Sequence, residues 1–324
     1  MTIQQFEKDP RLLEKIRSFL TGLNTSGSTP IESLSPTDAR QVLIDAQRID
    51  NLDYSGITES SMEIVVEEAP LKIYIVKPMD LTTAAPGFLF IHGGGWVLGD
   101  YATHRRLVRD LVVQSGAIAI FPEYTPSPEA QFPVALQQIY GTLKWVAENG
   151  QKIGVINERL AVVGNSVGGN MAAATTLLAK QNSGPKLSLQ VLLWPVTDAN
   201  FDTESYLQFG KDRFLTSSMM KWFWDNYLPD AFERKNMLAA PLQASVEDLK
   251  GLPPALIQTA ENDVLRDEGE AYGRKLDQAG VPVTVVRYNG LIHDYGMLNA
   301  LSELPAVKVA LSQTASRLKE VLFA

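Results

Sequence analysis

The chain has 324 residues, 45% hydrophobic and 20% charged, with a formal net charge of −8. Such a composition belongs to an ordinary globular protein able to bury roughly 75% of its unfolded surface, and its acidic balance offers nucleic acid no basic footprint. The absence of cysteine excludes disulfides, thiolate metal sites and a cysteine nucleophile together.

The start, MTIQQFEKDPRLLEKI, has neither the basic leader nor the continuous apolar core of a secretory signal. No stretch reaches about 18 uninterrupted apolar residues. A soluble, cytoplasmic protein without stable membrane insertion is therefore expected. Leu12, Leu13, Ile16, Phe19 and Leu20 recur at helical spacing and predict an amphipathic helix over 9–23, followed by a polar loop over 24–30. The runs MEIVV and LKIYIV, parted by a short Glu-Ala-Pro break, predict antiparallel pairing. Beyond them, short apolar runs alternate with helical stretches. GFLFI, AIAIF, LAVVG, LQVLLW, PALIQT and VTVVRY are the predicted strands, and the helices lie near 104–115, 134–149, 169–180 and 306–323. Fully apolar strands between helices indicate a mostly parallel sheet covered on both faces, an α/β architecture.

One stretch breaks this rhythm. Residues 198–244 exceed what a crossover helix needs and are expected to form an inserted cap. Within it, SSMMKWFWDNYL gathers Met219, Met220, Trp222, Phe223, Trp224 and Tyr227, which suits either packing on the sheet domain or lining an apolar pocket.

Gly164-Asn165-Ser166-Val167-Gly168 follows the strand LAVV and precedes a helix, the context in which a G-x-S-x-G turn lifts a serine hydroxyl above the sheet edge. His92-Gly93-Gly94-Gly95-Trp96 follows GFLFI, and its glycines let backbone N–H groups face a site without side chains in the way. Gly94, Gly95 and Val167 are then candidate donors to an oxyanion. A phosphate loop fits worse, since G-x-G-x-x-G and a Lys-Ser/Thr ending are both missing.

A serine hydroxyl needs a base, and a base needs orienting. Of the histidines His92, His104 and His293, only His293 lies after the final strand, where the order Ser, acid, His places the base. For the acid, Asp263 at the carboxyl end of PALIQT leads, with Glu261, Asp267 and Glu268 as rivals. Asp267 and Glu268 also suit the first turn of a helix RDEGEAYGRKL.

HGGGWVLGD, EYTPSPEAQFPVAL, GNSVGGNMAA, ENDVLRDEG and GLIHDYGML, in this order, resemble the hormone-sensitive-lipase-like family of esterases from Gly87 onward. The resemblance implies an α/β-hydrolase fold with a helical cap and a triad of Ser166, Asp263 and His293. Gly94, Gly95 and Val167 would be the oxyanion donors. It divides the chain into N-terminal cap helices over 1–51, a catalytic domain over 52–197 and 245–324, and the inserted cap over 198–244. It also implies a small-molecule ester as substrate, cleaved without cofactor or metal; because the expected cap should close the pocket over them, short- to medium-chain acyl groups are expected to be preferred. An amidase or formamidase with the same triad, or a ligand-binding non-enzyme on this fold, are the alternatives. A monomer and a homodimer both stay open. Three neighbours depart from the family's usual residues: Asn165 stands where Asp or Thr is usual, the branched Val167 is expected to narrow the acyl site, and Asp294 is expected to point outward into solvent.

Overall fold

The computed structural model describes residues 7–324; residues 1–6 of the expected N-terminal cap lie outside the described residues. In chain order the elements are α1 (Glu14–Thr25), α2 (Pro36–Ala46), β1 (Ile57–Val66), β2 (Ala69–Pro78), β3 (Ala85–Ile91), α3 (Tyr101–Ser115), β4 (Ile118–Pro122) and α4 (Val134–Asn149). Then follow β5 (Val155–Asn165), α5 (Val167–Gln181), β6 (Leu189–Leu193), α6 (Glu204–Phe209), α7 (Ser217–Tyr227), α8 (Val246–Leu249), β7 (Ala255–Asn262), α9 (Arg266–Gln278), β8 (Val283–Ile292) and α10 (Pro305–Leu322).

The strands form one eight-stranded sheet in the order β1-β2-β4-β3-β5-β6-β7-β8. β1, β2 and β4 pair antiparallel, and every pairing from β4 to β8 is parallel. Every residue of β3, β4 and β6 is buried, as a sheet covered on both faces requires. The helix pairs α3 with α10 and α4 with α5 supply that cover. This is the α/β architecture expected from the alternating runs.

The order reverses at β3. From there the chain moves out to β4 on one side and returns to β5 on the other, so the loops leaving the carboxyl ends of β3 and β5 open a crevice between them. Those loops carry His92–Trp96 and Ser166.

The first helix differs from expectation. It begins at Glu14 rather than at residue 9, because Leu12 pairs with Gly290 beside β8 and Leu13 N–H donates to the Gly290 carbonyl at 3.2 Å. Asp9 is buried just before it. Its Oδ2 accepts from Arg11 Nη2 at 2.8 Å and from the buried Arg213 Nη2 at 2.6 Å, joining the N-terminal segment to the stretch between α6 and α7. Farther along, Arg40 Nε of α2 donates to the Val97 carbonyl at 2.8 Å, and Gln47 Nε2 donates to the Thr103 and Met297 carbonyls. The N-terminal helices are thereby moored above the crevice. Among the described residues, no helix is long and apolar enough to cross a membrane.

Burial alone would raise the Asp9 carboxyl, but hydrogen bonds and charge from Arg11 and Arg213 outweigh it and hold the group at about 2. A depressed carboxyl stabilises the fold above its ordinary 3.8, and that contribution disappears as pH falls toward 2. Asp9→Asn is expected to cost about 2 kcal/mol at neutral pH. Urea denaturation of both proteins should show a gap that narrows below pH 4.

Candidate active site

Ser166 occupies the sharp turn between β5 and α5 with φ 55° and ψ −122°, a conformation that non-glycine residues seldom adopt. Its N–H donates to the Leu193 carbonyl at 2.8 Å and its own carbonyl accepts from Asn170 and Val196, so the turn is held from three directions. The flanking glycines are a steric need: a Cβ on Gly164 would overlap the Gly168 backbone, and one on Gly168 would overlap the Ile91 carbonyl.

The hydroxyl meets an imidazole. His293 Nε2 lies 2.9 Å from Ser166 Oγ, and Nδ1 lies 2.7 Å from Asp263 Oδ2. Since a carboxylate only accepts, Nδ1 carries the proton and Nε2 is left to accept from the serine. Asp263 Oδ1 accepts from Leu265 N–H at 3.0 Å, and all of Ser166, Asp263 and His293 are buried. Of the rival acids, Glu261 Oε2 accepts from Gly290 N–H and Asp267 accepts from Ser205 N–H. Glu268 sits in the first turn of α9 and points elsewhere: its Oε1 accepts from the Thr197 and Asp198 N–H groups, and burial pushes its carboxyl well above the ordinary range.

His92 and His104 take no part in this chain of bonds. His92 stacks between Tyr124, at 4.1 Å, and Phe121, at 5.4 Å, and burial lowers it to about 4. Burial, with an electrostatic contribution from the neighbouring His92, likewise holds His104 far below its ordinary value.

The glycine loop lies across the crevice from Ser166. Gly93 N–H donates to Asn165 Oδ1 at 3.0 Å, whereas no acceptor among the described residues takes the N–H of Gly94, Gly95 or Val167. Gly95 has φ 64°, and a Cβ there would collide with the Phe223 ring of α7. Below these donors, Gly94, Gly95, Ser166 and His293 share a cavity of about 420 Å³. Residues 23–46 supply part of its wall, and Phe214, Met219, Met220 and Phe223 supply another part. The aromatic helix α7 therefore plays both of the roles its composition suited. Phe223 and the methionines face the cavity, while Tyr227 stacks on Trp96 of the glycine loop with ring centroids 4.1 Å apart and Trp224 meets the edge of the same ring.

Two expectations about neighbouring residues are corrected. The Val167 side chain is fully buried in the hydrophobic core and, among the described residues, is not part of the cavity wall, because it packs with the core rather than against the open space. Asp294 does not face solvent. It is buried, its Oδ1 accepting from Trp194 Nε1 at 2.7 Å and from Asn165 Nδ2 at 3.1 Å, with Oδ2 3.7 Å from His293 Nε2. Two buried donors aimed at one oxygen hold the side chain inward despite its charge. Trp194 carries no sequence signal beyond ending the run LQVLLW. Among the described residues, no group of three His, Asp or Glu is placed to hold a metal.

Burial opposes a charge on His293, but the Asp263 and Asp294 carboxylates outweigh it and raise the imidazole above its ordinary value. Asp294→Asn removes one of those charges. The His293 titration, followed by its imidazole NMR signals, is expected to move to lower pH, and an unchanged or higher midpoint contradicts this electrostatic account.

A family model for the alpha/beta hydrolase fold matches residues 88–297. Among solved structures, a thermostable esterase from Pseudomonas putida is 56% identical and superposes with a TM-score of 0.96, over 97% of this chain and 98% of that one. Carboxylesterase NlhH of Mycobacterium tuberculosis is 33% identical over 84% of this chain and 81% of its own length. Ethyl acetate hydrolase of Pseudomonas putida is 34% identical over 72% of this chain and 73% of its own length. The chain belongs to the α/β-hydrolase-fold family, and within it to the hormone-sensitive-lipase-like esterases.

Proposed function

We propose that the protein hydrolyses carboxylic esters with short- to medium-chain acyl groups through an acyl-enzyme intermediate on Ser166. The observation that carries this reading is the continuous hydrogen-bonded chain from Asp263 through His293 to the Ser166 hydroxyl, opening into a cavity faced by unpaired N–H groups.

His293 Nε2 takes the Ser166 proton as Oγ attacks the ester carbonyl carbon. The carbonyl oxygen becomes an alkoxide and is received by the N–H groups of Gly94, Gly95 and Val167. Each such donor is worth about 2.7–4 kcal/mol in the transition state. The imidazolium then protonates the departing alcohol as its C–O bond breaks, leaving an acyl group on Ser166. In the second half, water gives a proton to His293 and attacks the acyl carbon, and the returning proton frees Ser166 as the carboxylic acid departs. Asp263 keeps the imidazole in the productive tautomer and stabilises its cation.

Residues 1–51 and 198–244 act in this reading as a two-part cap over a catalytic domain formed by the rest of the chain. The contacts of residues 23–46 and 214–223 with one cavity support that division. Apolar walls and limited volume favour acyl groups that the cavity can enclose.

Ser166→Ala is expected to reduce kcat/KM toward p-nitrophenyl butyrate roughly a millionfold, and Asp263→Asn roughly ten-thousandfold. Circular dichroism should show both variants folded. Equal rates in wild type and Ser166→Ala would defeat the reading. Across a homologous series, p-nitrophenyl acetate to hexanoate should outrun the palmitate ester, and a maximum at palmitate would contradict the acyl preference.

A further inference from the structure

Among the described residues, and apart from the His293 imidazole, the cavity wall carries ionisable charge of one sign: Glu32 and Asp294 line it, and no lysine or arginine does. The two carboxyl groups are not equivalent. Asp294, on the floor, has Oδ1 occupied by Trp194 and Asn165 and Oδ2 turned to the His293 ring, so its charge is absorbed by fixed neighbours.

Glu32 stands in the roof, in the short turn Ile31–Ser33 before α2, and is half-buried. Its Oε1 accepts from the Ser218 hydroxyl of α7 at 2.5 Å, at the seam between the two cap segments. Among the described residues it forms no ion pair. Its companions in the wall include Phe214, Phe223 and Met219, whose faces accommodate a soft cation and offer nothing to an anion.

We propose that Glu32 is a specificity-determining residue that makes the pocket select substrates by charge, favouring esters that carry an ammonium group over their neutral isosteres. A carboxylate in a partly enclosed, apolar cavity acts through less water than one on open surface, so its field discriminates among ligands that differ only in charge. The same field opposes retention of the carboxylate product. This inference rests on ester hydrolysis at Ser166 and names the substrate class for it.

Two isosteric pairs test the inference. Butyrylcholine and 3,3-dimethylbutyl butyrate place the difference on the alcohol side. The p-nitrophenyl esters of 4-(trimethylammonio)butyrate and 5,5-dimethylhexanoate place it on the acyl side. In at least one pair, the wild-type kcat/KM for the cationic ester is expected to exceed that for its neutral partner roughly five- to tenfold at low ionic strength, and the ratio should shrink with added salt. Glu32→Gln should bring that ratio to about one. Ser218→Ala, which keeps the charge and removes only its hydroxyl partner, should retain it. Hydrolysis of all four esters without a charge preference, or a preference that survives Glu32→Gln, overturns the role of Glu32 and leaves the esterase reading standing. Failure of the wild type to cleave any of the four overturns both.

Discussion

The turn at Ser166 sets the terms for everything around it. A serine held at φ 55° needs a backbone that gives it no alternative, and here the constraint comes from three strands at once: β5 delivers the residue, the end of β6 accepts a hydrogen bond from it and Val196 just beyond donates one back, and the carbonyl of Ile91 at the end of β3 lies where any Cβ on Gly168 would go. The strain is affordable because the whole parallel sheet is packed against it. In return the hydroxyl stands clear of the sheet at the point where the strand order reverses, within 2.9 Å of an imidazole brought in by a loop more than a hundred residues later.

The site also depends on a polar link beneath the reacting atoms. Asn165 accepts from the glycine loop through Gly93 and donates to Asp294 on the histidine loop, so a single amide ties together the loops after β3, β5 and β8. Trp194, at the end of β6, completes the link from the far side. Four strand ends are thereby coupled, and each contributes backbone or side chain to the geometry around Ser166. Because the groups are buried, their hydrogen bonds are stronger and less forgiving than the same bonds in water. Asp294 is the exposed-looking residue of the sequence and the buried one of the structure, and its place is set by those donors.

Much of the architecture was legible because it rests on local patterns. The alternation of apolar runs and helices points to a mostly parallel sheet covered on both faces, and the helix over 134–149 lies where its periodicity puts it; the order of the strands in that sheet was not legible. The site residues Ser166, Asp263 and His293 could be singled out because the serine has a distinctive strand–turn–helix context and because histidines are so few. What could not be read depends on distant partners. Nothing local to residues 9–13 reveals that Leu12 pairs beside β8, and nothing in the tripeptide around Asp294 reveals Trp194 a hundred positions earlier. The polar segment 24–30 looked like an ordinary loop. Its place in the cavity wall follows from tertiary mooring by Arg40, Gln47 and Asp9, whose partners are spread across the chain.

The seam between Glu32 and Ser218 joins positions 186 residues apart, and neither side of it supplies a member of the hydrogen-bonded trio beneath. The hydrogen-bonded trio and much of the wall above it are thus written in different stretches of the chain. Replacements over 23–46 or 214–223 can reshape what enters the cavity while the strand ends below keep their register. Such a division gives an engineer two short windows in which to diversify what the cavity admits without disturbing the turn at Ser166.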